Sequence, residues 1–100
     1  MSIRVAIVED DLGVQKALKT IVQRASNLSF DGAYSNAREA FDNIVMNRPD
    51  VALVDINLPG KSGIKLVSEL KAKLPKLQVM MITVYEDGDQ MFASLQTGAS

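Results

Sequence analysis

Apolar residues along the 100-residue chain fall into two kinds of run, and the two kinds alternate. "IRVAIV", "LSFDGAY", "VALVD" and "LQVMMIT" are short, rich in β-branched or bulky side chains, and mostly continuous in hydrophobicity. Strands buried on both faces of a parallel sheet read this way. Between them, apolar positions recur every three or four residues. In "DLGVQKALKTIVQRAS", Leu12, Val14, Leu18, Ile21, Val22 and Ala25 follow that spacing with Lys16, Lys19 and Gln23 between them, which predicts an amphipathic helix. "SNAREAFDNIVMN" repeats it through Ala37, Ala40, Phe41, Ile44 and Val45, with Ser35 expected as N-cap and Pro49 as the stop. "SGIKLVSELKAKL" does so through Ile64, Val67, Leu70 and Leu74, behind Ser62 and ended by Pro75. A fourth helix is expected from Asp87 or Asp89 through Met91, Phe92 and Leu95 to a stop at Gly98. Four strand–helix alternations imply an α/β doubly wound parallel sheet with right-handed crossovers. One domain over residues 1–100 is expected, with no linker, repeat or low-complexity stretch.

Composition narrows the function classes. A chain that is 47% hydrophobic and 23% charged has room for one core. Its formal charge of -1 and its scattered Lys and Arg argue against nucleic-acid contact by this segment. The chain has no Cys, hence no disulfide or thiol nucleophile, and no His, hence no imidazole base or ligand of its own. The apolar N-terminal stretch is short and interrupted by Arg4, and no run approaches the roughly 20 apolar residues of a membrane span. The expectation is a cytoplasmic domain that touches no membrane.

Candidate chemistry stands where the strands end. In open α/β sheets the ligand site lies beyond the carboxyl edge of the strands. The first strand ends in Glu9, Asp10 and Asp11, the third in Asp55 and the fourth in Thr83. Clustered carboxylates raise one another's pKa unless a cation relieves them. An oxygen-only set suits Mg²⁺, which takes one or two carboxylates and keeps water or phosphate oxygens for the rest. A carboxylate at such a site can also act as a nucleophile and form an acyl phosphate. Plainer readings exist for each residue. Asp11 reads best as a helix N-cap, Glu9 and Asp10 could be a solvated strand end, and Thr83 could simply finish a strand. Pro59 and Gly60 could make an ordinary turn or fix a loop whose carbonyls face a cation. "GKSG" does not make a phosphate-binding loop, because that motif needs Gly where this chain has Asp55.

"VAIVEDD", "VALVDINLPGKSG", "VMMITVYED" and "LQTGAS", in this order and spacing, resemble a bacterial response regulator receiver domain over nearly the whole chain. The resemblance implies a flavodoxin-like sheet of order 2-1-3-4-5 with Asp55 as phosphoacceptor. It implies that Glu9 and Asp10 carry Mg²⁺ with Asp55 and the backbone carbonyl of Asn57. It also implies that the Thr83 hydroxyl bonds a phosphoryl oxygen on switching, and that the donor is a phosphohistidine of a sensor histidine kinase. The implied role is control of an output, transcription, by a signalling domain that is not a conventional enzyme.

Such domains continue with a fifth strand and helix carrying an aromatic residue and a lysine, whereas this chain ends at Ser100. Lys73 and Lys76 precede the fourth strand and cannot stand in for that lysine. Val84 occupies a place where the family often has a smaller residue. The fourth strand is therefore expected as a bare edge through which the chain forms a homodimer or larger assembly. Two other readings stay open. A Mg²⁺-dependent phosphatase of the haloacid dehalogenase type would want a second Asp where Asn57 stands, and a degenerate receiver would act only as an interaction module.

Overall fold

The computed structural model describes residues 2–58, 62–87 and 90–97, with side chains described for 2–58 and 62–82. In chain order these form β1 (Ile3–Val8), α1 (Leu12–Arg24), β2 (Leu28–Tyr34), α2 (Ala37–Asn47), β3 (Val51–Asp55), α3 (Gly63–Lys73), β4 (Gln78–Asp87) and β5 (Gln90–Thr97). The strands make one sheet of order β2-β1-β3-β4-β5. β1 runs parallel to both β2 and β3, and β3 runs parallel to β4. The parallel doubly wound arrangement expected from the alternating pattern is therefore present.

The continuous hydrophobicity of the strands has its cause in two-sided burial. Ala6, Val8, Ala52 and Val54 face a core shared with Ala40 and Ile44 of α2 and Leu66 and Leu70 of α3. Val5 and Ile7 face the other way, against Val22 and the half-buried Leu18 of α1. With neither face of β1 wet, no polar residue alternates into it from Val5 to Val8. At the opposite edge, the Arg4 guanidinium donates to Asp31 Oδ1 and to the carbonyls of Asn47 and Arg48, tying β1 to β2 and to the end of α2. No helix among the described residues is long and apolar enough to cross a membrane.

Three expectations need correction. The N-cap of α2 is Asn36, whose side chain accepts the Glu39 N–H at 2.8 Å, and not Ser35. Ser62 caps α3 as expected, accepting the Lys65 N–H.

The larger correction concerns the fourth helix. Gln90–Thr97 is a strand, antiparallel to β4, in register from Asp87↔Gln90 to Met80↔Thr97. β4 itself runs on past Thr83 to Asp87. The physical reason is pairing: a short apolar run such as "MFASL" fits either helix or strand, and a ten-residue β4 offers it a full ladder of unsatisfied backbone groups. β4 is consequently not the bare edge expected of it; β5 takes that place. The expected helix stop at Gly98 and the Pro59–Gly60 turn lie outside the described residues.

Candidate functional site

Parallel strands carry their carboxyl ends to one rim, and there β1 and β3 deliver the acidic residues. Asp55 is the last residue of β3 and is 5% exposed. Its Oδ1 accepts the Asn57 N–H at 2.9 Å, which bends the chain sharply after the strand. Glu9 follows β1 directly, is 2% exposed, and has its own N–H bonded to the carbonyl of Tyr34. Its Oε2 accepts the Asp11 N–H at 3.0 Å, while Oε1 is buried with no hydrogen-bond partner among the described residues. Asp10 is exposed beside them. One carboxylate oxygen from each of Glu9, Asp10 and Asp55 lies within 4.8 Å of the others.

Asp11 stands apart from this trio in role. Its Oδ1 accepts the N–H groups of Gly13 and Val14 at 2.9 and 3.1 Å, so it caps α1 as expected. Thr83 is placed by register: Asp55 pairs with Ile82, and Thr83 is the next residue along β4. Its side chain lies outside the described ones. Asn57 stands two residues past Asp55 on the same loop.

Electrostatics disfavour the charged form of Glu9 in this cluster. Burial is the main cause that lifts the Glu9 carboxyl from 4.5 to about 8, and the neighbouring Asp55 and Asp10 carboxylates push the same way. The hydrogen bond from the Asp11 N–H opposes the shift and does not cancel it. An oxygen-only donor set containing a buried, unpartnered oxygen fits a hard cation such as Mg²⁺.

Some supporting residues were not legible in the sequence. Gln15 Nε2 donates to the Glu9 carbonyl at 2.9 Å and approaches Ser35 Oγ at 3.5 Å, joining α1 to the start of the β2–α2 loop. Nothing in its sequence context distinguishes it from any polar helix position. Gly63 packs at Asp55, and only its place behind the Ser62 cap hinted at a buried helix start.

Fold and rim together define a class: a doubly wound parallel domain with a trio of carboxylates at the carboxyl edge, two of them buried. Residues 5–100 match the response regulator receiver domain family, and the chain belongs to it. It is 30% identical over 98 residues to the DNA-binding transcriptional activator DevR/DosR of Mycobacterium tuberculosis, covering 98% of this chain and 45% of that protein. It is 28% identical over 99 residues to sporulation initiation phosphotransferase F of Bacillus subtilis, covering 99% of this chain and 78% of that one. Among solved structures, the response regulator domain of Thermotoga maritima CheB superposes with a TM-score of 0.79 at 28% identity, covering 88% of this chain and 66% of that one. The chain spans less than half the length of the transcriptional regulators it matches. Membership of this family displaces the dehalogenase-type phosphatase reading.

Proposed function

We propose that this domain accepts a phosphoryl group on Asp55 from a phosphohistidine of a sensor histidine kinase, in a Mg²⁺-dependent reaction, and so controls an output. The observation that carries the reading is the buried, unpartnered Glu9 Oε1 in the same carboxylate cluster as Asp55. Asp55 Oδ1 is held by the Asn57 N–H, which leaves Oδ2 as the attacking oxygen. Oδ2 forms a bond to phosphorus as the donor's P–N bond breaks, and the electron pair leaves with the imidazole nitrogen. The product is an aspartyl phosphate and a free histidine on the kinase. Glu9, Asp10, Asp55 and the backbone carbonyl of Asn57 would hold Mg²⁺, which when bound neutralises charge between the carboxylate and the incoming phosphoryl oxygens. The Thr83 hydroxyl would bond a phosphoryl oxygen as the domain switches. The similarity to a DNA-binding transcriptional activator supports transcription as the output and the cytoplasm as its place.

Intact-mass analysis after incubation with acetyl phosphate and Mg²⁺ tests the proposal. One added phosphoryl group is expected in the wild-type protein and none in Asp55→Asn. Label persisting in Asp55→Asn would refute the assignment, and no label in the wild type would favour a pure interaction module.

A further inference from the structure

Gly63, the first residue of α3, is buried against the end of β3. Its N–H donates to the carbonyl of Ile56 at 3.0 Å, and the Ile56 N–H in turn donates to the carbonyl of Ile82 on β4. A Cβ placed on Gly63 would collide with the backbone carbonyl oxygen of Asp55, and would lie 2.9 Å from its carbonyl carbon and 3.0 Å from the Cα of Ile56. These are all backbone atoms, so no side-chain rotation relieves the overlap. Either the first turn of α3 withdraws or the Asp55–Ile56 segment shifts.

We propose that Gly63 is a positioning residue for the phosphoacceptor: its missing side chain lets α3 close onto the Asp55 carbonyl and fixes where the Asp55 carboxylate sits relative to Glu9 and Asp10. The inference rests on Asp55 being the phosphoacceptor. A displacement near 1 Å of a reacting group typically slows a positioned reaction on the order of a hundredfold, so the contact has leverage over rate. Gly13 supplies the contrast. It also lies in the first turn of a helix at the same rim, yet a Cβ there would meet only the side-chain oxygen Asp11 Oδ1, at 3.2 Å.

The test compares Gly63→Ala and Gly13→Ala with the wild type, each well below its melting temperature. The phosphorylation rate is measured at saturating Mg²⁺ and acetyl phosphate, together with the amide resonance of Asn57. Gly63→Ala is expected to lower the saturated rate by roughly tenfold or more and to shift the Asn57 amide, whose partner is Asp55 Oδ1. Gly13→Ala is expected to leave both unchanged. A Gly63→Ala rate within about twofold of wild type would overturn the inference, since a merely structural glycine lowers the melting temperature and leaves the saturated rate alone. Failure of Gly63→Ala to fold even in the cold with a stabilising osmolyte would overturn it too, because the glycine would then be holding the fold rather than aiming the carboxylate. Absence of label in the wild-type protein would instead refute the phosphoacceptor reading itself.

Discussion

Glu9 shows how a single side chain can set the pH response of a domain. Its carboxyl titrates near 4.5 when unfolded and at about 8 in the fold, chiefly because burial disfavours the charged form. The folded state therefore binds this proton more tightly than the unfolded state. The stability this gives is fully present below 4.5, falls as pH rises, and is lost above about 8. In chelator, the melting temperature is expected to drop between pH 5 and pH 8, and Glu9→Gln should flatten that drop. Mg²⁺ at pH 8 should raise the melting temperature of the wild type more than that of Glu9→Gln; parallel pH profiles for the two proteins would refute the account. The acidic trio and the capping role of Asp11 were readable in the sequence because strand ends and helix starts have chemical signatures. That Glu9 is buried while Asp10 is exposed was not, since neighbouring acids look alike until the chain folds.

Capping separates what local chemistry can foretell at the scale of elements from what it cannot. "SN" offers two adjacent capping residues, and only backbone geometry decides between them. Asn36 is extended, at φ -146 and ψ 163, and its side chain reaches the Glu39 N–H. Asn36→Ala is expected to destabilise the domain by about 1 kcal/mol in urea unfolding, and Ser35→Ala by clearly less. Equal losses would return the cap to Ser35. Helices α1, α2 and α3 were legible because each shows a 3.6-residue period over eleven or more residues. Gln90–Thr97 was not, because its conformation is decided by a partner, the unpaired side of β4, and not by its own pattern. That the first, third and fourth runs were strands of a parallel sheet followed from their continuous hydrophobicity, whereas the order β2-β1-β3-β4 came only from the resemblance to receiver domains.

For the whole molecule, coverage of the sheet is uneven. α2 and α3 cover β1 to β4 on one face, whereas on the other side Val51 and Leu53 of β3 remain half-buried. β1 is better covered, no more than 3% exposed from Val5 to Val8 and lying between β2 and β3, with its register to β2 shifting at Ala6, and Glu9 is the next residue. Amide protons along this buried stretch are expected to exchange through opening of the entire domain. A cation held by Glu9, Asp10 and Asp55 would then act as a brake on global opening. At a hundred times its dissociation constant it adds about 2.7 kcal/mol, which should slow deuterium uptake at Ala6, Ile7 and Val8 by about a hundredfold. Exposed amides at the ends of α1 and α2 should exchange at their usual pace. Slowing confined to residues 9–11 and 55–57, with β1 unchanged, would mean that the rim can open by itself.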